Sequence, residues 1–307
     1  MFNFCKNKKW FFMISCTLML IGVVALIING VQLDIQFSGG SKVSYSYTSD
    51  INLGDIEKIA TEVIGTKATA QSQTAVSDDK DVKTVVISFG GTSSISPEKL
   101  HKLTDEIVKA NKDNNIEFYE TQSVEPYIGA RFFRKGITAM VIAAVFIVLY
   151  VTIRFKKISG LSASVTALIA LLHDIILVFF TFVIFKIPIN DGFVAVILTI
   201  LGYSINDTMV IYDKIRYNSR LFAGKMSYEE IANRSINECF TRSINTSLMS
   251  TIAIALVYVF SLVSGLTSVA NFALPMMVGI ISGCYSTLTI TAPLWVEWQN
   301  HKAKKAK

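Results

Sequence analysis

The pattern of apolar and polar positions divides the chain into one long polar stretch and six apolar runs. A charge-free run over residues 10–28 comes first, close to the ~20 residues that a bilayer helix needs. Residues 31–130 are polar. Five further runs follow in close succession, over residues 136–153, 161–185, 193–212, 243–263 and 271–295. Within the polar stretch the periodicity changes in a fixed order. Residues 42–48 alternate as a half-buried strand does, with Val43, Tyr45 and Tyr47 on one face. Leu53, Ile56, Ile59, Ala60 and Val63 recur at helical spacing, and residues 68–76 and 82–89 alternate again. Ser96-Pro97-Glu98 supplies an N-cap, a first-turn proline and an acidic first turn, which predicts a helix running to about Lys112. A last strand is expected over residues 116–124. The order βαββαβ predicts a ferredoxin-like α+β domain.

Composition agrees with a membrane protein carrying one polar domain rather than a soluble enzyme. Hydrophobic residues make up 51%, charged residues 17%, and the mean hydropathy is +0.47. The net charge of +6 raises the question of nucleic acid, but the basic residues gather beside the apolar runs. Lys6, Lys8 and Lys9, then Arg154, Lys156 and Lys157, then Lys214, Arg216, Arg220, Lys225 and Arg234, and finally Lys302, Lys304, Lys305 and Lys307 all fall on one side. The positive-inside rule therefore puts both termini in the cytoplasm and residues 31–130 outside. Arg131, Arg134 and Lys135 run against it, but they follow a long translocated domain, where the rule is weak. No A-x-A cleavage pattern follows the first run, so it reads as an uncleaved anchor. The predicted architecture is an α-helical membrane protein with six transmembrane helices and the α+β domain inserted between helices 1 and 2. Its divisions are 1–30, the N-terminus and first helix; 31–130, the outer domain; 131–298, helices 2 to 6; and 299–307, a basic tail.

Enzymatic chemistry finds little support. Cys5, Cys16, Cys239 and Cys284 all lie outside the polar domain, C-x-x-C spacing is absent, and His101, His173 and His301 are far apart. No metal and no cofactor is expected. The polar domain has no nucleophile motif and no phosphate loop, and Gly39-Gly40 and Gly90-Gly91 read as turns. It reads instead as a binding surface, with an extended peptide at a sheet edge as its natural ligand.

The chemistry worth pursuing lies inside the apolar runs. Gly202–Asp213 reads G-Y-S-I-N-D-T-M-V-I-Y-D and puts Tyr203, Asn206 and Asp207 on neighbouring positions of a helical face. A carboxylate at the centre of a bilayer helix costs roughly 2.5–3.5 kcal/mol, so it must be shielded, paired or used for its proton. Arg242, Asn245 and Thr246 form an i, i+3, i+4 stripe at the start of the fifth run, within reach of Asp207 for an ion pair. Separating such a pair favours protonation, which is how a carboxylate carries a proton. His173-Asp174 lies in the third run, and Ala163, Ala167 and Ala170 on the Asp174 face admit a close neighbour. With the fourth helix ending near Tyr212, Asp174 is expected roughly 10 Å deeper than Asp207. In the sixth run Gly279 and Gly283 read as packing positions, among Pro275 and the hydroxyls of Ser282, Ser286 and Thr289.

These residues carry a family resemblance. The stretch 202–216, together with Leu171-Leu-His-Asp174, Asn237-Glu238 and residues 242–248, resembles the signature of SecF in the SecD/SecF family of the bacterial protein-export machinery. Phe37-Ser-Gly-Gly40 resembles that family's F-x-G-G element, a hinge after the first span that includes Phe37, Gly39 and Gly40. The resemblance implies an RND-like six-helix half in the bacterial cytoplasmic membrane, paired with a SecD homologue and associated with the SecYEG channel. It implies an accessory role in late, proton-motive-force-driven export of an unfolded preprotein. The proton-coupling residues implied are Asp207 and Arg242, with Asn206, Asp174, Tyr203 and Asn245 around them. Gln36 stands where that family usually has a carboxylate, with Asp34 two places earlier; Tyr217 and Met249-Ser250 also depart from its pattern. Three other readings compete. An RND-type proton-coupled small-molecule transporter would call for a larger outer domain with an apolar cleft. An intramembrane hydrolase at His173 and Asp174 lacks a second motif. A scaffold would use the buried charges only to glue helices.

Overall fold

The computed structural model describes residues 2–48, 51–77, 80–91, 94–111 and 114–305. Lys112, the expected end of the second domain helix, and Lys307 in the basic tail lie outside them. Six helices among the described residues are long and apolar enough to cross a membrane. The first is α1 (Lys8–Asn29). A four-residue helix, α2 (Ile35–Ser38), leads into the polar domain.

The domain runs β1 (Gly40–Ser46), α3 (Leu53–Ile64), β2 (Ala68–Ser77), β3 (Lys80–Gly90), α4 (Pro97–Ala110) and β4 (Glu117–Val124). Its sheet order is β2-β3-β1-β4, with every neighbouring pair antiparallel. Two βαβ units thus interleave, the split arrangement that this element order favours. Strand alternation sends Val43, Tyr45, Val85, Ile87 and Phe89 under α3 and α4, where Ile56, Ala60, Leu103 and Ile107 complete the core. The opposite face is polar.

α5 (Pro126–Arg154) follows without a break. It begins inside the stretch assigned to the polar domain and carries Arg131, Arg134 and Lys135 on its first turns, because Pro126 at the first turn starts a helix well outside the apolar run. α6 (Gly160–Ile184), α7 (Asp191–Leu221), α8 (Tyr228–Val263) and α9 (Thr267–Ser286) come next, then a π-helical turn over Thr287–Thr291 and α10 (Ala292–Lys305). α6, α7 and α9 are the buried helices, while α1, α5 and α8 turn most of their apolar side chains outward. The loop expected to hold Lys214, Arg216, Arg220, Lys225 and Arg234 shrinks to one short turn that keeps only Lys225. The other four lie on α7 and α8. These helices outrun their apolar cores because ion pairs support the extensions: Arg154 and Arg216 with Asp213 at 3.1 and 2.6 Å, and Lys214 and Arg234 with Glu238 at 3.1 and 2.8 Å.

The domain is wired to the bundle through its backbone. Asp34 N–H donates to Ile189 O at 3.0 Å and Ile189 N–H to Gln32 O at 2.8 Å, joining the end of α1 to the turn between α6 and α7. Asp34 then caps α2 by accepting from Gln36 N–H, and pairs with Lys42 on β1 at 2.6 Å.

Candidate functional site: a buried carboxylate clasp

Asp174 is completely buried, and every polar neighbour of its carboxylate can donate to it. Ser282 Oγ donates to Oδ1 at 2.6 Å, and Ser204 and Ser286 donate to Oδ2 at 2.8 Å each. His173 Nδ1 lies 3.1 Å from Oδ1. One donor comes from α7 and two from α9, so the carboxylate on α6 clasps three helices. The buried alanines Ala163, Ala167 and Ala170 permit the approach on α6. On α9, a Cβ on Gly279 would lie 2.6 Å from Ile200, and one on Gly283 would lie 3.1 Å from Ser204. Only glycines let α9 come near enough to α7 for Ser282 and Ser286 to reach Asp174. The π-helical turn begins directly after Ser286; such turns are frequent at functional sites.

Asp207 sits on the same buried face of α7 as Ser204 and Thr208. Ser243 Oγ on α8 donates to its Oδ1 at 2.7 Å, and Oδ2 is buried without a partner among the described residues. Thr208 hydrogen-bonds Thr287 at 2.9 Å, tying this turn of α7 to the π-helical segment. Because Ser204 precedes Asp207 by three residues, the two carboxylate sites are about 4.5 Å apart along α7, less than one helical turn. The sequence-based expectation of some 10 Å is thereby corrected. It took the inner end of the helix at Tyr212, whereas α7 continues to Leu221 and its true axis places both groups at similar depth.

The remaining expected residues are distributed less simply. The expected Arg242–Asp207 ion pair is not formed among the described residues: Ser243 holds the hydrogen-bonding position on Asp207, and Arg242 lies one residue away, about 100° round α8. Arg242 and Asn206 both line a cavity of about 990 Å3 between α5, α7 and α8, together with Tyr150, Asp213 and Glu238. Asn206 is exposed there rather than grouped with Asp207. Tyr203 is half-buried and donates to Ser247 Oγ on α8 at 3.2 Å. Asn245 and Thr246 are exposed on the outer side of α8. Ser204 and Ser243 were missed in the sequence reading. Their signal was position alone: each precedes or adjoins a charged residue by a helical step.

The element after the first span is tightly built. Phe37 is buried edge-on against Phe133, with ring centroids 5.5 Å apart. Gly39 has φ +71°, and a Cβ there would fall 2.3 Å from Pro126 Cα; Gly40 has φ +144°, and its Cβ would meet Phe89 O at 2.1 Å. Both positions need glycine. The carboxylate work near this element is done by Asp34, not by Gln36.

Residues 104–301 match the family described as "Protein export membrane protein SecD/SecF, C-terminal". A protein translocase subunit SecF of Alicyclobacillus acidocaldarius is 31% identical, over 99% of this chain and 95% of its own length. The protein translocase subunit SecDF of Bacillus subtilis is 30% identical over 99% of this chain, which spans 39% of that longer protein. In three dimensions the chain is similar to the crystal structure of SecDF, a translocon-associated membrane protein from Thermus thermophilus. The TM-score is 0.80 at 25% identity, over 97% of this chain and 39% of the other.

Proposed function

The chain belongs to the SecD/SecF family of protein-export membrane proteins, and from that membership we propose that it couples the proton motive force to late steps of Sec-dependent export. It is a multi-pass membrane protein with an accessory role in Sec protein export, as relatives named protein translocase subunit SecF and SecDF support. The finer reading puts it in a bacterial cytoplasmic membrane with both termini inside and the α+β domain outside. There it pairs with a SecD homologue, associates with SecYEG and acts on the unfolded preprotein. It needs no cofactor.

The observation that carries this reading is the pair of buried carboxylates served from one stretch of α7, where Ser204 donates to Asp174 and Asp207 follows it by three residues. Asp207 keeps one oxygen without a hydrogen-bond partner among the described residues, the natural seat for an incoming proton. Asn206, the residue before it, faces the cavity that Arg242 also lines, which gives protons a polar approach. Protonation removes the acceptor charge that Ser243 and the serine clasp now satisfy, so the contacts among α6, α7, α8 and α9 must change. One proton crossing 100 mV releases about 2.3 kcal/mol, enough to shift a two-state arrangement roughly fiftyfold, since 1.4 kcal/mol is tenfold. The backbone links at Asp34 and Ile189 carry such a rearrangement to the domain.

Asp207→Asn tests this. The variant should assemble with its partner normally, yet lose the stimulation of precursor export by an energised membrane. Undiminished stimulation would end the proposal.

A further inference from the structure

The face of the sheet turned toward the bundle roofs a cavity of about 900 Å3, near the top of the ~300–1,000 Å3 range of ligand clefts. Strand register sets its roof. Lys42, Ser88 and Thr69 lie side by side across β1, β3 and β2, and Gln71 stands opposite Val86 in the next row. The floor is the turn between α6 and α7 and the first turn of α9, with Phe182, Ile187 and Phe272 among Asn190 and Asn271. Thr267 at the start of α9 donates to Ser72 O on β2 at 3.2 Å and closes one side.

The lining mixes polar and apolar side chains, and its charges balance: Asp34 and Asp191 against Lys42 and Lys67. Lys42 has its charge answered by Asp34, and Lys67 and Asp191 oppose each other in sign. That balance suits neither an anion nor a cation. The side-chain amides of Gln71, Gln73 and Asn271 enter no hydrogen bond among those seen between the described residues. Each amide offers both a donor and an acceptor. A set of free amides above an apolar floor matches one ligand class well: extended polypeptide, whose backbone presents donors and acceptors equally and whose alternate side chains need apolar contact. β2, whose Thr69, Gln71 and Gln73 line the cavity, is also an edge strand of the sheet.

We propose that this cavity is a sequence-tolerant binding site for an extended segment of the polypeptide under export, held between the polar sheet face and the α6–α7 turn. The inference rests on the export role proposed above and adds where in the chain the exported polypeptide is held.

A photo-cross-linking amino acid placed at Gln71 or Asn271 of the full chain, in its assembled complex, tests it. The probe is a secretory precursor arrested in export by a folded C-terminal fusion. Both positions should cross-link to the precursor, whereas Lys58 on the far side of α3, 79% exposed, should not. Cross-linking should disappear in Gln71→Trp, which fills the cavity, and persist when Gln71→Ala is combined with the probe at Asn271. Equal labelling at Lys58, labelling of phospholipid alone, or no product while export still depends on the chain would each overturn the site. Export that proceeds unchanged without the chain would instead refute the export role itself, so the two failures are distinguishable.

Discussion

Replacing Asp174 offers the sharpest test of the clasp, because asparagine and alanine should behave oppositely. The carboxylate receives three serine hydroxyls at 2.6–2.8 Å and faces His173 Nδ1 at 3.1 Å. In Asp174→Asn the side chain keeps its shape. One oxygen still accepts, and the new N–H2 meets hydroxyls that can rotate to accept from it. Each surviving bond weakens from the ~1.5–3 kcal/mol of a charge-assisted pair to the ~0.5–1.5 of a neutral one. The buried charge that had to be desolvated is removed at the same time, a gain of several kcal/mol. These terms are of similar size, so the net change should fall within ~1–2 kcal/mol. Asp174→Ala leaves four buried polar groups without their partner, at ~1–3 kcal/mol each. Ser286 can fall back on Gly283 O, already 3.2 Å away, which leaves three groups and trims the sum to about 3–9 kcal/mol. That is a large part of the ~5–15 kcal/mol that holds a typical protein folded. Thermal unfolding of the purified chain in detergent reads both. The alanine variant should melt far below wild type, while the asparagine variant should stay close to it. An alanine variant as stable as wild type, or an asparagine variant as damaged as alanine, would refute the clasp.

Gly279→Ala puts a methyl 2.6 Å from Ile200 and 2.9 Å from Val178, so overpacking should cost ~1–3 kcal/mol, visible as a lowered melting temperature in the same assay. Lys42→Ala removes the partner of a nearly buried Asp34; the loss of ~1.5–3 kcal/mol should appear as faster amide hydrogen exchange across α2 and the first residues of β1. Cys5 is buried against α8, and that burial, helped by Glu229, pushes its thiol up to about 12. The reactive thiolate is therefore scarce at pH 8, and Cys5 should resist alkylation there. Asn237→Ala, which removes the bonds from Asn237 to both the N–H and the carbonyl of Phe2, should free the segment and restore labelling, read by mass spectrometry.

How much of this was legible beforehand varies with the range of the interaction. The six spans, the element order of the domain and the carboxylates at 174 and 207 follow from the sequence alone. Hydrophobic runs of bilayer length, changes of period and charges stranded among apolar neighbours are local properties. Helix ends were less accessible, since α7 and α8 run past their apolar cores on ion pairs made in part with other helices. The partners of the carboxylates were inaccessible: Asp174 meets residues 30, 108 and 112 positions away. Periodicity shows which residues share a face of one helix, but not which helix that face meets or how each is rotated about its axis. The rotation of α8 brings Ser243 rather than Arg242 into a hydrogen bond with Asp207, while glycine and alanine contacts set the approach of α6, α7 and α9. The close packing of helices thus decided what the sequence, which determined where along the chain the charges fall, had left open: their relative depth and their partners.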